Sequence, residues 1–446
     1  MLNILSRGLE LLLSFESYVM LPILMMIISL IIGLSWQKTF KSCLTLGIGF
    51  IGIFITFDHF VEHLGPVLDI IVKKTGMALN VLDVGWPPLA GITWSFEYVP
   101  LLLVVIMATN VVMFLTKWTK TVNIDIWNYW HFMLIAQILY GVTGNIYLSI
   151  CAAVFAVIII MRIADWSASD VGKFTGLEGV SITTLPCVCY YPIGILGDRL
   201  LQKIPFINKI KADPDTIKDK LGFFGDPMFV GFTMGTVLGI VAKYSLKDTL
   251  ELAFNISAVV YILPKMTKIL GDGLLPISSG MKEYMMKRFP KMKNSYIGLH
   301  FAVLLGDSAV IVTGILLMPA ALILALILPG VRFLPLGSLP NMIGAIPMIV
   351  VACRRNVVKS FIIGLFVVTG HLYVASGMAE IYTNLAAGVN YTISGYDGII
   401  TSFLEGGNLM RYWIMELFTG NTWGILLTPV VLFLLYYTKK KCEAYE

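Results

Sequence analysis

Charge is what this sequence has least of. Only 13% of its 446 residues are Asp, Glu, Lys or Arg, while 57% are hydrophobic and mean hydropathy is +0.84. A soluble globular chain carries roughly 25% charged residues, because its surface must face water. The shortfall excludes a soluble enzyme, a disordered chain and a nucleic-acid binder. Cysteine is scarce too. Cys43, Cys151, Cys187, Cys189, Cys353 and Cys442 are scattered, mostly in apolar runs, and read as small buried hydrophobes. Cys187-Val188-Cys189 has neither a zinc nor a thioredoxin spacing. No His-Glu-x-x-His, Gly-x-Ser-x-Gly or Walker string occurs, which argues against a membrane-embedded enzyme. No cleavable signal peptide is expected, since the first long apolar run begins late and lacks a small-residue cleavage site.

What the chain has instead is continuous apolar sequence. The expectation is an all-α polytopic membrane protein, because backbone in lipid must satisfy its own hydrogen bonds. The alternating pattern of an outer-membrane barrel is missing. Crossing ~30 Å of hydrocarbon takes about 20 residues. Uncharged stretches of that size fall at 17–36, 98–116, 308–331, 333–353, 360–379 and 417–438. The stretch 126–161 holds two crossings, with a break at Gly141-Val142-Thr143-Gly144-Asn145. Shorter runs at 42–57, 227–242 and 252–264 bring the expectation to about eleven crossings. The segment 59–80 mixes charge with apolar residues and reads as an interfacial helix.

The net charge of +5 is local. Lysines and arginines gather in 198–222, in 277–295 and at Lys439-Lys440-Lys441, and none occurs in 360–410. Positive residues favour the inner side, so these clusters predict cytoplasmic basic loops, a cytoplasmic C-terminus and an N-terminus outside. The whole chain, 1–446, reads as one membrane unit with no soluble domain attached.

Three apolar stretches are too broken to cross, and each reads as a re-entrant hairpin. The stretch 81–97 contains Asp83-Val84-Gly85-Trp86-Pro87-Pro88. The stretch 176–197 opens with Gly176-Leu177-Glu178-Gly179 and continues through Thr183-Thr184-Leu185-Pro186. The stretch 296–309 ends with Leu305-Gly306-Asp307-Ser308. Such backbone is tolerated at membrane depth only where protein or a water-filled cavity surrounds it. Paired broken segments near mid-membrane point to a transport site. An acid at the bilayer centre costs at least ~2.5–3.5 kcal/mol and so needs a role or a partner. A fourth feature opens the run 126–161. Trp127, Trp130 and His131 share a helical face and Asn128 lies beside His131. Rings beside hydrogen-bonding groups suit a carbohydrate or polyol; an interfacial aromatic belt explains the tryptophans but not Asn128 and His131.

Several strings resemble a known family. They are Asp83-Val84-Gly85-Trp86-Pro87 with Thr93-Trp94, Asn123 through His131, and Leu177-Glu178-Gly179. Further on come Ile204-Pro205-Phe206-Ile207-Asn208, Lys220-Leu221-Gly222-Phe223-Phe224-Gly225-Asp226-Pro227, Pro264-Lys265 and Asp272-Gly273-Leu274. Together they resemble the galactitol-type EIIC membrane subunit of the bacterial phosphoenolpyruvate-dependent phosphotransferase system, a family similar to the ascorbate-type EIIC. The resemblance implies a homodimer in the bacterial inner membrane, with a scaffold and a substrate-carrying core that shifts like an elevator. It implies phosphorylation of the substrate by a separate phosphocysteine EIIB, itself charged by EIIA, with no cofactor held by this chain. The basic loops would then dock EIIB. The broken stretches and the helix start then place Asp83, Trp86, Trp127, Asn128, His131, Glu178, Thr183, Thr184 and Asp307 around the substrate. Trp86 or Trp127 would stack on the sugar, and Glu178 or Asp307 would help the reacting hydroxyl. Relatives carry Pro-His where this chain has Thr183-Thr184, and Gly-His-Thr where it has Gly306-Asp307-Ser308, so a different set of hydroxyls is expected to be read. An ion-coupled secondary transporter is the competing class, since it also uses broken helices and buried acids.

Overall fold

A chain this apolar can hide its peptide groups only in helices, and helices dominate it. The structure, a computed structural model, describes residues 15, 17–75, 79–177, 179–209, 222–288, 295–305, 307–393 and 396–443. Helices α1 (Ser17–Ile31) and α2 (Trp36–Thr75) come first. Strand β1 (Val81–Asp83) turns into α3 (Trp86–Trp94), and α4 (Val99–Leu115) follows. Strand β2 (Thr121–Asn123) leads through a 3-10 turn (Ile126–Tyr129) into α5 (Trp130–Thr143) and α6 (Ile146–Thr175). Next come β3 (Val180–Ile182), α7 (Leu185–Val188), α8 (Tyr191–Leu201) and α9 (Pro205–Lys209). Helices α10 (Pro227–Val241) and α11 (Leu246–Arg288) precede β4 (Tyr296–Leu299), a 3-10 turn (Phe301–Leu304) and α12 (Ser308–Ile327). The short α13 (Met342–Ala345) and α14 (Pro347–Ala352) lead to α15 (Val357–Gly377) and α16 (Ala379–Gly388). Strand β5 (Ile399–Thr401), α17 (Phe403–Gly406), α18 (Leu409–Phe418) and α19 (Thr422–Glu443) close the fold.

Six helical stretches among the described residues are long and apolar enough to span a membrane: Trp36–Thr56 of α2, α6, Leu246–Ile277 of α11, α12, α15 and α19. The α3–α4 pair, bent by 99°, makes a seventh if read as one broken span. The expected eleven crossings are therefore not all present as long apolar helices. The stretch 333–353 is one reason. Pro335, Gly337, Pro340, Gly344 and Pro347 cut it into a 3-10 turn and two helices of four and six residues. The interfacial helix expected over 59–80 is not separate either, because α2 runs on from Trp36 to Thr75. The run 252–264 is part of the 43-residue α11. The break in 126–161 falls where expected. Gly144 ends α5 in the left-handed conformation (φ 66°), and Asn145 caps α6 by accepting from Leu148 N at 3.1 Å.

Helices α2, α10 and α11 pack mainly on one another. Gly231, Gly235 and Gly239, four residues apart, form the stripe by which α10 approaches α11. A Cβ on Gly235 would fall 2.5 Å from Ala253 Cα, which only glycine avoids. The other helices enclose two small parallel sheets. In one, β1 pairs with β5, Asp83 opposite Thr401. In the other, β4 lies between β2 and β3, with Asn123 opposite Gly298 and Ser181 opposite Gly298. The three broken stretches thus become strand-and-short-helix hairpins, as their Gly, Pro and acid content predicted. A fourth hairpin, β5–α17, was not anticipated. Asp165 of α6 anchors the start of β2: it accepts from Thr119 Oγ1 (2.9 Å), Lys120 N (3.0 Å) and Thr121 Oγ1 (2.8 Å). Of the cysteines, Cys43, Cys187, Cys189 and Cys353 are buried as expected, while Cys151 is exposed.

Candidate functional site

Among the described residues the strands within each sheet are parallel, so the turns that follow them gather at one end of that sheet. Those turns carry the polar side chains. After β5 comes Glu405, which is buried and paired twice. Arg411 Nη2 lies 3.2 Å from Glu405 Oε2, and Arg411 Nη1 donates to the Glu405 carbonyl. His131 Nδ1 from α5 lies 3.3 Å from the same Oε2, in ion-pair contact but off the line that a hydrogen bond needs. Burial alone would raise the Glu405 carboxyl, but His131 and Arg411 outweigh it and hold it below its ordinary value. His300, which caps the turn after β4 by accepting from Ala302 N at 3.0 Å, lies in the field of both His131 and Glu405.

Around this group the turns after β2 and β3 interlock. Thr183 Oγ1 donates to Asn123 Oδ1 at 3.0 Å. Thr184 Oγ1 accepts from Asn128 Nδ2 (3.1 Å) and from Phe301 N (3.2 Å), so one hydroxyl ties three hairpins together. The Asn128 amide also donates to Asp125. Several buried polar atoms here have no protein partner: Asn128 Oδ1, Ser402 Oγ, Trp130 Nε1 and Arg411 Nε. A buried polar group left unpaired costs about 1–3 kcal/mol, which a hydroxyl-rich guest would recover. Replacing Thr184 by Val keeps the shape and removes the shared acceptor. We expect destabilisation of roughly 1–3 kcal/mol for each orphaned N–H, read as a lower melting temperature in detergent. An unchanged melting temperature would show that the hydroxyl ties nothing.

The structure does not use all the expected residues alike. Asp83 is at the heart of the hairpins but is saturated. Its Oδ1 accepts from Gly85 N (3.1 Å), Ser338 Oγ (2.9 Å) and Phe403 N (2.9 Å), and its Oδ2 from Ser338 N (2.8 Å). Burial pushes its carboxyl up to about 6 against those four bonds. It is a brace between three turns, with its carboxylate already holding four protein donors. The brace needs Gly85 at φ 68° and Gly337 where a Cβ would lie 2.2 Å from Asp83 O. Asp307 is also committed elsewhere. It caps α12 through Ala309 N (2.9 Å) and its Oδ2 accepts from Arg355 Nε at 2.7 Å. Arg355 in turn donates to Phe174 O at 2.6 Å. Trp127 is packed away from solvent between Trp94 (6.0 Å, stacked) and Phe50 (4.8 Å, edge-on), while Trp86 is half-buried. Asn128 meets Thr184, Thr183 meets Asn123, and His131 faces Glu405. Glu178 lies outside the described residues.

Glu405, Arg411, His300 and Ser402 were missed. Glu405-Gly406-Gly407 carries the same signal, an acid beside glycine, that marked the other hairpins.

Comparison with known proteins gives one consistent result. A family model described as EIIC-GAT, PTS system sugar-specific permease component, matches residues 12–397. The chain is 34% identical over 427 residues to a permease IIC component of Escherichia coli (strain K12), covering 95% of this chain and 97% of that one. It is 33% identical over 401 residues to the galactitol-specific EIIC component of the PTS system in Escherichia coli (strain K12), covering 90% of this chain and 88% of that one. The galactitol-specific EIIC component of Escherichia coli O157:H7 gives the same figures.

Proposed function

The chain belongs to the EIIC-GAT family of sugar-specific permease components of the phosphotransferase system, and from that premise we propose how it handles its substrate. The substrate is a galactitol-like polyol or related sugar, bound where the turns after the strands converge. Asn128 Oδ1 and Ser402 Oγ meet its hydroxyls, and Trp86 lies against its carbon face. Glu405 is the base, oriented by Arg411 and His131. The observation that carries this reading is the Glu405–His131–Arg411 group, a buried charge cluster, together with the buried polar atoms of Asn128, Ser402 and Arg411 that have no protein partner.

The chemistry follows from that placement. The substrate hydroxyl attacks phosphorus on the phosphocysteine of a separate EIIB. The O–P bond forms as the S–P bond breaks, the electron pair leaves with the cysteine thiolate, and the hydroxyl proton passes to Glu405. Glu178 and Asp307 are the acids that the sequence offers for this role. Asp307 is displaced from that role by its pairing with Arg355, and Glu178→Gln tests the other directly. The packing of α2, α10 and α11 on one another supports a scaffold against which the hairpin-bearing core slides in an elevator-like shift. Dimerisation through that scaffold, a cytoplasmic C-terminus and EIIB docking on the basic loops complete the proposal.

The test uses vesicles carrying the full chain and a panel of labelled polyols and pentoses. Uptake is expected only with phosphoenolpyruvate and the cognate EIIA and EIIB, with phosphorylated product inside. Accumulation of unmodified sugar without those proteins, driven by an ion gradient, would overturn the reading in favour of ion-coupled transport.

A further inference from the structure

We propose that His59, Glu62 and His63 on α2 form a zinc-binding site separate from the sugar site. The chain has five histidines. Three of them, His131, His300 and His371, lie in the electrostatic neighbourhood of Glu405. The other two stand together on α2, and the function described above does not use them.

Positions 59, 62 and 63 are i, i+3 and i+4 on one helix and so share a face. One ligand atom from each residue lies within 4.8 Å of the others, and the two imidazole centroids are 4.2 Å apart. The second observation is how the rings are held. His59 Nε2 lies 2.9 Å from Asn255 Oδ1 of α11, and His63 Nδ1 lies 2.8 Å from the His59 carbonyl. Both partners are oxygens that can only accept. Each neutral ring therefore spends its one N–H on that bond, and the opposite nitrogen, Nδ1 of His59 and Nε2 of His63, presents a lone pair. A ring N–H given to a carbonyl oxygen while the other nitrogen stays free is the arrangement that metal-ligating imidazoles adopt.

Two imidazoles and a carboxylate suit zinc, with bonds of roughly 2.0–2.2 Å and a fourth position for water. Glu62 is exposed, so its carboxylate is the ligand with most room to rotate toward the rings. The order His-x-x-Glu-His also occurs in inverted zincins, where the glutamate acts as a base. Here the glutamate is assigned as a ligand and no hydrolysis follows. Because Asn255 belongs to α11, a bound ion would stiffen the contact between α2 and α11, the two longest helices of the fold.

The full chain, purified in detergent and stripped with chelator, is titrated with zinc chloride and separately with cobalt chloride. One equivalent of zinc per chain is expected, with a rise in melting temperature and a four-coordinate cobalt spectrum. Asn255→Ala is expected to weaken zinc binding about 10–100-fold, as loss of an orienting partner does, and His59→Gln or His63→Gln to weaken it further. Each variant is checked for an unchanged zinc-free melting temperature, so that misfolding is not read as lost affinity. No stoichiometric zinc on the parent chain, or parental affinity in His63→Gln, would overturn the proposal. Neither outcome bears on sugar phosphorylation.

Discussion

Glu405→Gln is expected to slow phosphorylation of the sugar by about 10²–10⁴-fold, the contribution a positioned general base makes. Glutamine keeps the length and one acceptor oxygen but cannot take a proton. Sugar binding, measured directly with labelled substrate, is expected to change far less than turnover. That split separates chemistry from scaffolding: a group acting only in the reaction lowers kcat, while a group binding ground and transition states alike raises KM. The substitution also leaves Arg411 facing a neutral amide. Arg411 is 1% exposed, so its charge loses a buried partner, and breaking one half of such a pair typically costs about 3–5 kcal/mol. The double variant Glu405→Gln with Arg411→Met removes both charges. It is expected to regain stability while remaining inactive. If Glu405→Gln phosphorylates sugar at the parental rate, or if the stabilised double variant regains turnover, Glu405 is not the base.

Why Glu405 escaped the sequence while its neighbours did not has a physical reason. The hairpins at 81–97, 176–197 and 296–309 are legible because glycine, proline and an acid cannot continue a lipid-facing helix. The break before Asn145 is legible because Asn caps and Gly turns have fixed local geometry. Such signals say that the chain breaks, not what the break touches. Asp83 and Ser338 are 255 residues apart and meet only in the folded chain. Spacing cannot reveal that Asp83 would be consumed by backbone amides, nor that Arg355 would neutralise Asp307. Glu405 bears the same local mark as the others, an acid beside two glycines, but that mark does not say that His131 and Arg411 will meet it. Trp127 shows the same limit from the apolar side. Its helical face is readable, but its enclosure by Trp94 and by Phe50 from a distant helix is not.

Asp83→Ala is expected to prevent stable folding rather than to weaken sugar binding. Three backbone N–H groups and one hydroxyl would lose their acceptor together, in a pocket where Asp83 itself is 1% exposed. Each orphaned donor costs about 1–3 kcal/mol, so the four sum to roughly 4–12 kcal/mol, comparable to the 5–15 kcal/mol by which a whole domain is stable. The variant is expected to accumulate poorly in membranes and to lose a cooperative melt in detergent. Asp83→Asn tests the same idea more gently. One of its two terminal atoms still accepts, but the amide NH₂ then faces a donor, whichever way it is turned. Its melting temperature is expected to fall between the parent and Asp83→Ala. Phosphorylation should suffer with it, because Phe403 N is one of the four donors and Glu405 lies two residues further along the same short helix. A sugar ligand at this position predicts the reverse: a well-folded Asp83→Ala protein with parental melting behaviour and no sugar affinity. A parental melting temperature in Asp83→Ala would therefore remove the brace and return Asp83 to the binding site.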